Sequence, residues 1–176
     1  MRKVLYIFGL LTDDDIAWIA DTGIRRHVKA GEVLIREGVF VDSIIIILEG
    51  ECVVTAETVG KIARLGVGEI IGEMSFVDSA PPSATVTVER DGLVLLIDKT
   101  AMLKKLEGDI AFGRRFYQAL AVFLADRLRA TVRRLGYGTQ DRLDRPLETP
   151  DELDAQLLDR VSDAGERFAR LLNVVR

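Results

Sequence analysis

The chain has 176 residues, of which 48% are apolar and 30% charged, with a formal net charge of −4 at pH 7. That length suits one packed domain and an appendage rather than two full domains, the composition excludes a disordered chain, and the acidic balance excludes a bulk binder of nucleic acid or anionic membrane. A single cysteine (Cys52) excludes an internal disulfide, and with the single histidine (His27) it leaves too few soft ligands for a zinc, haem or non-haem iron centre, or for a metal-dependent cupin barrel.

Met1-Arg2-Lys3 before the apolar residues 4–11 mimics the start of a signal peptide, but Thr12-Asp13-Asp14-Asp15 follows without a small-residue cleavage pattern. The three carboxylates favour the positive end of a helix dipole instead, and Ile16, Trp18, Ile19 and Ala20 after them predict a short amphipathic helix within residues 1–22. No apolar run reaches the length of a membrane span, so a cytoplasmic location is expected. Residues 23–98 read as strand territory, with His27 as a surface strand residue. Short β-rich runs at 33–36, 44–48, 52–55, 61–65, 84–88 and 93–97 are punctuated by glycines such as Gly38, Gly50, Gly60, Gly72 and Gly92. Short strands at regular spacing with glycine turns predict a β-sandwich or barrel.

From Thr100 onward the periodicity is helical. In a long helix near residues 109–135, Ala121, Leu124, Leu128, Thr131 and Leu135 step by 3, 4, 3 and 4, a heptad seam suited to a partner helix. Phe112, Phe116, Leu120 and Phe123 form a second face that can pack on the barrel. The basic cluster Arg127, Arg129, Arg133 and Arg134 reads as a solvated face. Gly136-Tyr137-Gly138 predicts the helix end, and residues 136–148 read as a polar linker. Thr149, Pro150 and Glu152 form a capping-box start for a last amphipathic helix over 149–176, with Leu157, Val161, Ala164, Phe168 and Leu171 on one face.

Gly72-Glu73-Met74-Ser75-Phe76, a variable turn, then Pro81-Pro82-Ser83-Ala84-Thr85-Val86 resembles the phosphate-binding cassette of the cyclic-nucleotide-binding domain family. The family pattern is G-E-apolar-small-apolar, a turn, then P-R-S/A-A-T-V. Lys29-Ala30-Gly31-Glu32 through Gly38 is similar to the family's K-x-G-E strand pair. Residues 44–51 are similar to its apolar strand ending in x-x-G-x, and residues 98–106 to its short B helix. The resemblance covers residues 1–135 and implies an α+β, mainly β fold: a jelly roll with an N-terminal helix and a long C helix, to which the capping-box segment adds one further C-terminal helix. It also implies a regulatory, non-catalytic module and a homodimer through the long helix. No Ser–His, Cys–His or clustered-carboxylate arrangement speaks for an enzyme. The chain after Leu135 lacks a recognition-helix pattern, so no DNA-binding domain is expected; a protein partner acting in trans remains open, as does a ligand-free structural module.

The same resemblance assigns candidate ligand contacts. Glu73 matches the acceptor of a ribose 2′-OH, and Gly72 the glycine that lets backbone approach the sugar. Met74 and Ser75 lie on the short helix whose N–H groups face the phosphate. Ser83 and Ala84 match phosphate-binding positions, and Thr131 matches a purine contact on the C helix. Pro82 departs from the pattern, standing where the family has its phosphate arginine. Losing one partner of a buried ion pair costs about 3–5 kcal/mol, roughly a hundred- to thousand-fold in affinity. The expectation is cAMP or cGMP held weakly, or another small effector, with Arg64, Arg90 or Arg127 as substitutes for the missing cation.

Overall fold

The computed structural model describes residues 9–136, 165–169 and 171. The acidic run starts helix α1 (Asp13–Thr22), as its charge predicts. Thr12 caps it: Asp15 N donates to Thr12 Oγ1 at 3.3 Å, and Thr12 N donates to Asp15 Oδ2 at 2.8 Å. Ile16, Ile19 and Ala20 are the buried apolar face. The strands are β1 (Ile24–Val28), β2 (Val33–Ile35), β3 (Ser43–Ala56), β4 (Gly60–Leu65), β5 (Ile70–Ile71) and β6 (Thr85–Asp98). Helix α2 (Glu73–Val77) separates β5 from β6, and α3 (Lys99–Gly108) and α4 (Ile110–Gly136) follow.

All pairings are antiparallel, in the order β1-β6-β3-β4, with β2 on β6 and β5 on β3. With the helices, this is the jelly roll of the expected fold class. Two pairs of runs expected as separate strands are continuous: 44–48 joins 52–55 in β3, and 84–88 joins 93–97 in β6. Gly50 and Gly92 are bends rather than turns. Gly50 has φ +93°, and a Cβ on Gly92 would stand 2.0 Å from the Glu49 carbonyl oxygen, so the two strands cross there with no room for side chains. The register shifts between Ile47 and Cys52 at this point.

Two cores lie on the two faces of the sheet. Along β3, Ile44, Ile46 and Leu48 join a cluster under the helices, with Leu95, Ile97, Met102, Phe112, Phe116 and Phe123. Ile45, Ile47 and Cys52 face the other way, onto Leu34, Ile71, Val88 and Val94 inside the roll. The unbroken apolar run at 44–48 is therefore a strand buried on both faces. His27 lies exposed on β1, and Cys52 is buried with its thiol pushed up to about 11, first by burial and then by the field of Glu69.

Phe112, Phe116, Leu120 and Phe123 pack α4 on the outer core, as their spacing predicts. The side chains of Arg133, Arg134 and Leu135 lie outside the described residues, as do the expected helix end at Tyr137 and Gly138, the linker and the capping box at Thr149. Of the last helix, residues 165–169 are helical, and Phe168 and the buried Leu171 pack against the outer core. Arg167 Nε donates to Asp13 Oδ1 at 2.8 Å, so this segment sits beside α1.

Candidate functional site

The short strand β5 turns into α2 at Gly72, whose φ of +84° is a left-handed conformation that glycine adopts freely. A Cβ there would come within 2.8 Å of the Ser43 carbonyl oxygen, so the turn is pressed onto the start of β3. Glu73, the first residue of α2, is thereby carried under the helix and is only 2% exposed. On the far side of the cassette, Ala80 N donates to Asp78 Oδ1 at 2.9 Å, and Gly38 N donates to the Pro82 carbonyl at 2.8 Å. Glu37 N donates to Thr85 Oγ1 at 3.0 Å. These bonds fix the Pro82 segment to the chain between β2 and β3.

Between α2, β4, the 82–86 segment and α4 lies a cavity of about 420 Å³, within the size range of small-molecule sites. The fold brings all eight candidate ligand contacts to its wall. Gly72, Glu73, Met74 and Ser75 come from the α2 side, Pro82, Ser83 and Ala84 from the opposing turn, and Thr131 from α4. Glu73 and Ser75 are buried, Pro82 and Ala84 half-buried, and Ser83 and Thr131 exposed. Met74 is 50% exposed at the wall, whereas Phe76 is core. Thr131 Oγ1 donates to the Arg127 carbonyl at 2.9 Å, one turn back along its own helix.

Of the three candidate substitute cations, only Arg127 presents its guanidinium to Glu73. Arg127 Nη1 donates to Glu73 Oε1, Nη2 reaches the Ile70 carbonyl at 3.5 Å, and the guanidinium lies 4.8 Å from the centroid of the Phe123 ring. Arg64 also lines the cavity, but its guanidinium makes two bonds to Glu89, of 2.7 and 2.9 Å. Arg90 lies 4.0 Å from Glu51 and is not part of the wall.

The reading of Arg127 as part of a solvated face is corrected here: it is half-buried and paired, while Arg129 of the same cluster is exposed. The signal was present in the spacing. Arg127 follows Phe123 by four and continues the barrel-facing series Phe112, Phe116, Leu120, Phe123. Burial raises the Glu73 pKa above 4.5; the Arg127 charge opposes that, and the Glu69 charge adds to it.

Residues 25–109, which hold β1 to β6 and the cassette, match the family model described as Cyclic nucleotide-binding domain. The chain carries a domain of the cyclic nucleotide-binding family. An uncharacterized NTE family protein of Mycobacterium tuberculosis is 31% identical to it over 118 residues, 67% of this chain and 20% of that protein. A cAMP-dependent protein kinase regulatory subunit of Blastocladiella emersonii is 25% identical over 169 residues, 93% of this chain and 40% of that one. The chain thus spans well under half the length of these curated relatives. A solved cyclic nucleotide-binding domain from Methylobacillus flagellatus superposes with a TM-score of 0.69 at 23% identity, over 80% of this chain and 85% of that one, and shows the shared fold. Among the described residues of this cyclic nucleotide-binding-type domain, no group of three or more potential metal ligands is present. No described helix is long and apolar enough to cross a membrane.

Proposed function

We infer that the chain is a non-catalytic regulatory module whose cavity accepts a small effector, with cAMP or cGMP held weakly because Pro82 occupies the phosphate position. The observation that carries this reading is the cavity itself, walled on one side by the cassette and on another by Arg127 and Thr131 of α4. A ligand there touches the β roll and the long helix together, so its presence is felt by whatever α4 contacts. The name of the Blastocladiella relative, a regulatory subunit, agrees with a signalling role. The effector's output passes through α4, where Tyr117, Leu128 and Val132 are exposed, to a second copy of the chain.

Proline supplies neither charge nor N–H donor, so restoring an arginine tests the reading. Thermal-shift titrations with cAMP and cGMP are expected to give little stabilisation of the natural sequence and a clear upward shift for Pro82→Arg. The affinity gain is expected to be roughly a hundred-fold. The Pro82 carbonyl that accepts from Gly38 is retained in that variant, so the cassette keeps its anchor. Low-micromolar binding by the natural sequence would refute the weak-ligand reading. No shift in either protein favours a ligand-free platform for dimerisation, to which the exposed Leu128 and Val132 are suited.

A further inference from the structure

Three side chains near the C-terminus sit at the start of the domain, far from the cavity. Leu171 is 1% exposed, and Phe168 packs against the same outer core that holds Leu11, Ile16 and Phe112. Arg167 Nε donates to Asp13 Oδ1 at 2.8 Å, and Nη1 reaches the Gly9 carbonyl at 3.4 Å. In a helical segment residues 167, 168 and 171 lie on one side. A cation and two apolar pegs thus enter one seat, and the acidic first turn of α1 supplies the matching charge.

This seat grips less firmly than the ion pair beside it. The Asp13 side chain stays 55% exposed, whereas that of Asp15 is 4% exposed and takes two bonds from Arg115. An exposed ion pair sets register more than strength, so Phe168 and Leu171 hold the segment. A contact of that size opens and recloses while the sheet and α4 stay folded. Where the segment docks on reclosing depends on reach. Arg115 marks the seat on α4, because it bonds α1 two residues from Asp13, and Gly136 lies about 30 Å beyond Arg115 along the helix axis. Residues 137–164 join Gly136 to the segment, and a chain of that length reaches roughly 90 Å at full extension. Two copies paired along the exposed stripe of α4 hold their helix axes about 10 Å apart. With parallel helices the second copy's seat is nearly as close to Gly136 as the chain's own, and with antiparallel helices it is closer.

We propose that the seat on α1 is a docking surface for Arg167, Phe168 and Leu171 of a second copy, so that paired chains exchange their C-terminal segments. The inference rests on the pairing of copies through α4. Each contact made in exchange is one that the single chain already makes, so exchange adds little affinity. It acts on rate instead: once the segments have crossed, both seats must open, as well as the α4 stripe, before the chains separate. Each copy gives and receives the same segment, so the exchanged pair closes on itself as a dimer.

The test uses two full-length variants, Asp14→Cys and Glu166→Cys, whose positions are exposed neighbours of Asp13 and Arg167 and leave that ion pair in place. The natural Cys52 is buried at 2% exposure, away from the reagent. The two chains are co-expressed with different tags, purified through both tags and treated with bismaleimidoethane, a short thiol-to-thiol crosslinker. The expected result is a covalent two-chain product carrying one of each substitution. Adding Leu171→Glu to the Glu166→Cys chain removes a peg and is expected to lower its yield about tenfold, with the melting transition showing that the domain stays folded. A yield indifferent to Leu171→Glu reports proximity without docking and overturns the proposal. A single chain carrying both cysteines controls for reach. If it crosslinks internally while mixed pairs, dimeric by light scattering, give no two-chain product, exchange fails and the pairing through α4 stands. No crosslink of either kind in the doubly substituted chain overturns the seat and the proposal with it. A mass of one chain at every concentration overturns both the exchange and the pairing.

Discussion

At the residue scale, two carboxylates of similar burial are treated in opposite ways. Burial alone would raise Asp15, but the Arg115 guanidinium donates to both its oxygens at 2.7 and 2.8 Å, and with the bonds from Thr12 it holds the pKa below 3.8. A carboxylate depressed in the folded state stabilises the fold above its unfolded pKa, and that contribution is lost as pH falls through the folded value. Asp15→Asn is therefore expected to lower stability at pH 7 by about 2–4 kcal/mol, since it strands Arg115 and weakens the cap of α1. Its urea midpoint is also expected to fall less than that of the natural protein between pH 5 and pH 3. An unchanged pH dependence would count against the bidentate pair. Glu73 runs the other way, because burial outweighs its single guanidinium partner. The capping role of Asp15 could be read from Thr12-Asp13-Asp14-Asp15, but its partner lies 100 residues away, and no local pattern reports such a contact.

At the element scale, the decisive pieces are the two 14-residue strands β3 and β6. Their bend depends on the crossing at Gly50 and Gly92, where the obstructing atoms are backbone and cannot swing aside. Gly92→Ala is expected to cost about 2–4 kcal/mol in chemical denaturation. Gly108→Ala is the control: nothing lies within 4 Å of the added Cβ near the end of α3, and its effect is expected to stay within about 1 kcal/mol. Equal effects at the two sites would show that crowding does not set the bend. The sequence shows that glycines interrupt apolar runs, and the runs themselves are found nearly at their observed places. It does not separate a turn from a bend, because both need glycine and the difference lies in what approaches it. The two-residue β5 gives no periodic signal either, since a pair of isoleucines fits any buried element.

At the scale of the whole molecule, α4 has two unlike sides. One is built into the outer core, and the other leaves Tyr117, Leu128 and Val132 at 48%, 65% and 57% exposure. Leu124, part of the expected seam, is half-buried against the core, so the free stripe runs slightly to one side of the heptad predicted from spacing. Leu128→Glu is expected to leave the melting temperature of the dilute protein nearly unchanged and to convert a dimer to a monomer in sedimentation or light scattering. A mass that stays the same in both proteins across concentration would reject the second-copy reading. The cassette and the long helix were legible because their residues lie close together in sequence; the Glu73–Arg127 contact was not, with its partners 54 positions apart. That contact also has a mechanical side. Arg127 lies four residues beyond the buried Phe123 and Gly136 lies thirteen beyond it, about 6 Å and 20 Å along a helix axis. With Phe123 as pivot, the ion pair holds the short arm of a lever, and a displacement of about 1 Å there becomes roughly 3 Å at Gly136. A few atoms at the cavity wall thus set the aim of the far end of α4.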